Sequence, residues 1–123
     1  MSRQATSSKP RRRAANDKPV GCPIEHTMRT IGGKWKIPIV WQLTSGTKRF
    51  GELKKLLPNI TQKMLTTQLR ELEAAGVVNR EVFPVVPPHV EYSLTDTGQS
   101  LKPIFNAMCK WGRQSLEFTG NNL

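Results

Sequence analysis

Lys63, Thr67 and Arg70 follow one another at spacings of four and three, with Gln62 and Thr66 close by. Successive residues of a helix advance by about 100°, so this spacing lines them up along one side. Leu65, Leu69 and Leu72 recur at the same intervals on the opposite side. Lysine and arginine can bond guanine or phosphate, glutamine can pair with adenine, and threonine offers a hydroxyl and a methyl. The chemistry on offer is the reading of base edges by a helix in a major groove. Thr61 is expected to cap this helix, predicted over 61–75, and its N-terminus suits a phosphate. Glu71 and Glu73 would repel phosphate and are expected to point away. Taken alone, the segment reads more readily as a solvated surface helix. Its position argues otherwise.

Gly76 stops the helix, and two β-type runs follow at 77–83 and 90–94, joined by PVVPPH. The connection is too long for a two-residue turn, and its prolines stiffen the tip. A leucine-anchored helix followed at once by a two-stranded ribbon is the layout of a winged helix-turn-helix. His89 is the tip's ionisable residue and a candidate DNA contact. Lys48 and Arg49, just ahead of a short helix FGELKKLL, are candidate phosphate anchors. Within that helix Phe50, Leu53, Leu56 and Leu57 are expected to face inward.

The remaining elements must hold this unit. Ile24, Met28 and Ile31 give a first helix one apolar face, with Pro23 in its first turn. After Gly32-Gly33, a helix over 34–44 is apolar nearly all round and is predicted to be the buried centre. A last helix starts at Thr95 or Asp96 and runs to about Phe118. Leu101, Ile104, Phe105, Met108 and Trp111 share a broad face of it. Pro103 is harmless there only if the helix starts late or bends. The fold class is α+β, mostly helical.

The chain has 123 residues and a formal charge of +10. Residues 1–21 carry six basic side chains against one acidic, and the rest carries 13 of the 19 basic and 8 of the 9 acidic ones. The first stretch is too poor in apolar residues to order itself and is expected to be a disordered basic tail. It would follow a phosphate backbone or a minor groove, or serve only as a solubilising leader. Residues 22–118 form the folded domain and 119–123 a flexible end. No apolar run reaches the roughly 18 residues of a membrane span, and the N-terminus lacks the apolar centre of a signal peptide. A cytoplasmic protein is expected, with Cys22 and Cys109 as thiols.

Catalysis finds little support. His26 and His89 are far apart, and the chain has no glycine-rich phosphate loop, CxxC pair or HExxH helix. No metal or cofactor is expected. A non-specific nucleic-acid binder would suit the tail, but the body lacks an aromatic stacking surface for single strands.

GKW, RFGEL, LRELE and VPPHVEYSLT with a following Gly98, in that order, resemble the HxlR-type winged-helix transcriptional regulators, relatives of the MarR-like group. The resemblance covers residues 22–112. It implies a homodimer that binds a pseudo-palindromic double-stranded DNA operator, with repression the commoner outcome. It also implies that the first and last helices pair across a two-fold axis, here through Ile24, Met28, Phe105, Met108 and Trp111. Where the family commonly has arginine after the wing prolines, this chain has His89, which implies a weaker or pH-sensitive wing contact. Some members sense oxidants or electrophiles through a cysteine in a CP pair ahead of the first helix, and Cys22-Pro23 matches it. A helix N-terminus favours the reactive thiolate form, and Arg29 would add to this. The alternatives are a silent Cys22 and a small-molecule effector in an apolar pocket near Trp35, Trp41 and Phe105. Cys109 reads as a packing residue.

Overall fold

The computed structural model describes residues 21–121. The predicted basic tail, Gly21 excepted, and the last two residues lie outside the described residues. Among the described residues six helices and three strands follow in the order α1 (Pro23–Ile31), α2 (Lys36–Leu43), β1 (Lys48–Arg49), α3 (Phe50–Leu56), α4 (Gln62–Ala74), β2 (Val78–Phe83), β3 (His89–Leu94), α5 (Asp96–Gln99) and α6 (Lys102–Asn121). This is a winged helix-turn-helix, mostly helical, as the pattern predicts.

The core lies where α2, α3, α4 and the sheet meet. Ile39, Val40 and Leu43 of α2, Leu53 of α3, and Leu65, Leu69 and Leu72 of α4 are all fully buried. Pro38 falls in the first turn of α2, where its missing N–H costs nothing. One inward assignment fails: Leu56 is 44% exposed, whereas Leu57 is buried. The helix ends at Leu56, and the backbone at Leu57 leaves the helical conformation (φ -120°, ψ 82°) as its side chain enters the core.

The two-stranded wing is part of a three-stranded antiparallel sheet, ordered β1-β3-β2. Lys48 and Arg49 pair with Tyr92 and Glu91, and the long ladder runs from Val78↔Leu94 to Phe83↔His89. A two-residue strand has no alternation to betray it.

The end of α4 fixes where the wing begins. Gly76, at φ 77°, takes the left-handed conformation that ends many helices. The Val77 amide donates to Leu72 O at 2.9 Å and the Gly76 amide to Glu73 O at 3.0 Å. Both Leu72 and Val77 are fully buried, so the hydrophobic contact of this cap sits in the core. Thr95 ties the far end of the hairpin to the same corner. Its hydroxyl donates to Gly76 O (2.5 Å) and accepts the Gly98 amide (3.0 Å). A Cβ on Gly98 would stand 2.3 Å from Val77 O, so this close approach admits only glycine.

The last helix is in fact two. Thr95 caps the single turn α5, and α6 starts afresh at Lys102. Pro103 is thus the second residue of a helix, and the late start resolves its place. α6 continues to Asn121, three residues past the predicted end at Phe118.

Candidate nucleic-acid interface

Four sides of α4 have four different neighbours. Leu65, Leu69 and Leu72 enter the core. Gln62, Thr66 and Glu73, together with Leu69 and Arg70, border an open cleft towards the sheet. Lys63, Thr67, Arg70 and Ala74 are exposed on the outward side. Gln68 and Glu71 face α2, where both accept from Lys36.

Thr61 is spent on structure. Its side chain accepts the Met64 amide at 3.0 Å, satisfying one of the free donors of the first turn. Glu71 turns away from the outward face, as predicted, and accepts from Lys36 Nζ at 2.5 Å. Glu73 does not: it lines the cleft with Gln62, Thr66 and Arg70. Two residues apart, the two glutamates lie about 200° from each other around the helix, on opposite flanks of the outward row.

Sequence reasoning passed over Lys36. Its side chain is 13% exposed and donates to Gln68 Oε1 at 3.0 Å as well as to Glu71. It pins the start of α2 to the reading helix. Charge-assisted bonds of this kind contribute about 1.5–3 kcal/mol. Lys36→Met keeps the stem and removes the bonds. It is expected to cost about 1–2 kcal/mol, read as a fall in thermal midpoint of about 4–8 °C per kcal/mol. An unchanged midpoint would make the clamp idle.

His89 is not at the tip. It opens β3 directly opposite Phe83, stacks on that ring with centroids 4.9 Å apart, and places Nε2 3.0 Å from Glu91 Oε2. The tip proper is residues 84–88, and it carries no ionisable side chain. Lys48 and Arg49 also have company. Lys48 Nζ donates to Ser45 Oγ at 3.0 Å, the Arg49 amide donates to Glu52 Oε1 at 2.8 Å, and Glu52 and Glu91 border the same small hollow. The structure thus gathers Gln62, Thr66 and Arg70 in one cleft with Lys63 and Thr67 on the adjoining outward face. Lys48, Arg49 and His89 stand among carboxylates instead.

Cys22 is exposed at the N-cap of α1. Arg29 is turned towards Glu25, 3.6 Å away along the same helix. Ile24 and Met28 are exposed in the single chain, as are Met108 and Trp111. Phe105 is not. It is 2% exposed, with its ring edge-on to Trp41 at 6.3 Å, and belongs to the chain's own core. Met108 and Trp111 on the same face stay outside that core. Cys109 is half-buried in a small apolar hollow with Ile37, Trp41, Phe105 and Met108. Among the described residues no helix is long and apolar enough to cross a membrane, and no cluster of three or more histidine, cysteine or acidic side chains is set to hold a metal ion.

Residues 30–119 match the model of the HxlR-like helix-turn-helix family. The HTH-type transcriptional regulator YtcD of Bacillus subtilis is 60% identical over 89 residues, 72% of this chain and 71% of that protein. Among solved structures, the redox regulator HypR in its oxidized form is 54% identical with a TM-score of 0.72, covering 76% of this chain and 96% of HypR. The reduced form of the transcriptional regulator YodB from B. subtilis is 38% identical with a TM-score of 0.69, covering 77% of this chain and 94% of YodB.

Proposed function

The chain belongs to the HxlR-like helix-turn-helix family of transcriptional regulators, and from that premise we propose that two copies together bind a pseudo-palindromic operator and repress the adjoining gene. The observation that carries this reading is α4. Its leucines are locked in the core while Lys63, Thr67 and Arg70 stand free on the outward side, beside a hairpin wing. A helix so anchored presents its donors at a fixed angle, which base reading requires. The exposed apolar side chains of α1 and α6 supply the surface that a second copy would cover. Duplexes selected from a randomised pool should therefore carry inverted half-sites about one helical turn apart. Recovery of single, unpaired sites would end the proposal of a two-fold complex.

The signal is read through Cys22. The thiol is exposed, begins α1, and lies two residues from Ile24 on the surface assigned to the partner copy. HypR is a redox regulator by name, which supports the same role here. A disulfide formed between Cys22 and a second thiol, with both hydrogens passed to the oxidant, would alter the packing of α1 and so the spacing of the two reading helices. Coupling between sites is typically worth 5- to 150-fold. Diamide is expected to weaken operator binding by about tenfold or more in the wild type and to leave Cys22→Ser unaffected. Equal responses of the two proteins in a gel-shift titration would remove Cys22 from the mechanism.

A further inference from the structure

The cleft between α4 and the hairpin, about 580 Å³, is bordered by two arginines from different elements, Arg70 and Arg80. Arg80 lies on the face of β2 that carries Val78 into the core, two residues further out and directly opposite the buried Tyr92. The strand therefore delivers a cation to the open side of the sheet, facing the flank of α4 that bears Gln62 and Thr66. Neither arginine is within ion-pair distance of a carboxylate among the described residues. The floor is apolar, formed by Phe50, Leu69, Val90 and Tyr92.

We propose that this cleft seats one backbone phosphodiester of the bound duplex, gripped by Arg80 from the sheet and Arg70 from the helix, and that Glu73 restricts it to one. The inference rests on the DNA-binding reading of α4. Arg70 belongs both to the outward row and to the cleft. With the row in a major groove, the strand bordering that groove passes over the cleft. Guanidinium groups hold phosphate oxygens in a planar fork, and an apolar wall on one side concentrates their field. Formal charge sets the occupancy. Two arginines and Glu73 leave +1, which a single phosphodiester neutralises. The carboxylate then opposes a second or misplaced phosphate. It weakens binding to any duplex, but most where α4 is poorly seated, so it favours the operator over other DNA.

The test uses the full chain, a fluorescent duplex chosen by selection from a random pool, and a scrambled duplex of equal length. Affinity is measured by anisotropy against KCl concentration. Each phosphate contact contributes about 0.9 to the slope of log affinity on log salt. Arg80→Gln is expected to lower the slope by about one per protomer, and to weaken the operator and the scrambled duplex by similar factors. Arg80→Lys keeps the charge and should keep the slope. Glu73→Gln should tighten the scrambled duplex more than the operator, narrowing the ratio between them. Arg80 is exposed, so both variants at that position should fold as the wild type does, which circular dichroism checks. A wild-type slope in Arg80→Gln overturns the seat while leaving the reading helix intact. So does a loss confined to one base position, which would mark a base contact. Inorganic phosphate at constant ionic strength gives the third arm. If it displaces operator from the wild type but not from Arg80→Gln, with the slope unchanged, the cleft takes a free anion and the seat is wrong. A wild type that discriminates no duplex refutes the functional reading itself, a distinct outcome.

Discussion

Trp111→Asp is expected to leave the protein monomeric and to weaken operator binding by about a hundredfold or more. Trp111 is 70% exposed in the single chain, on the same side of α6 as Met108, and near-equal exposure is found at Ile24 of α1. A tryptophan buries about 150–250 Å² when covered, and contiguous apolar patches beyond a few hundred Å² mark interaction surfaces. A carboxylate at that position, covered by a second copy, would have to be desolvated without a partner, which association cannot offset. The effect on DNA is then indirect. Two reading helices on one rigid dimer make the second half-site contact intramolecular, worth 10²- to 10⁴-fold. The monomer loses that factor while each α4 keeps its own contacts. Light scattering and anisotropy on the same preparation give both numbers, and circular dichroism should be unchanged because Trp111 is outside the core cluster. A variant that stays dimeric at micromolar concentration, or a monomer that binds like the wild type, would break the proposed link between α6 and operator affinity.

The reading helix was legible because its signals are local and agree with one another. Thr61 caps, three leucines recur at helical spacing, and Gly76 stops the chain in the left-handed conformation. The hairpin followed from composition and prolines. The parts that escaped depend on contacts distant in sequence. β1 is two residues long and exists only because Tyr92 and Glu91 lie alongside it. Phe105 and Trp111 share one broad face of α6, and only the first of them reaches the core, where its ring meets that of Trp41. Lys36 reads as one more solvated cation until Gln68 and Glu71 are set across from it. Glu71 and Glu73 look alike in the sequence, yet one faces Lys36 and the other the cleft. Periodicity assigns a residue to a side of its helix, but it does not say what stands opposite.

Lys63→Ala and Arg70→Ala are expected to fail in different ways, and only the first should narrow the margin between the operator and scrambled DNA. Lys63 is on the outward face in the first turn of α4, where such helices meet base edges, and it is away from the cleft. Loss of a base contact costs about 1–3 kcal/mol, and a two-fold complex loses two. Lys63→Ala should therefore cost about 2–6 kcal/mol on the operator and relax the preference at one position of each half-site. Arg70 borders the cleft, so its removal should weaken all duplexes alike and flatten the salt dependence by about one per protomer. The two sites are two turns apart on the helix and share no partner among the described residues, so their effects should add. Specific binding exceeds non-specific binding by about 10³–10⁷, a margin that Lys63→Ala narrows and that Arg70→Ala, acting on every duplex alike, leaves unchanged. A selection from random sequence repeated with each variant separates the roles: a changed consensus for Lys63→Ala, an unchanged one for Arg70→Ala. If both variants keep the wild-type consensus and affinity, the outward face of α4 does not read DNA.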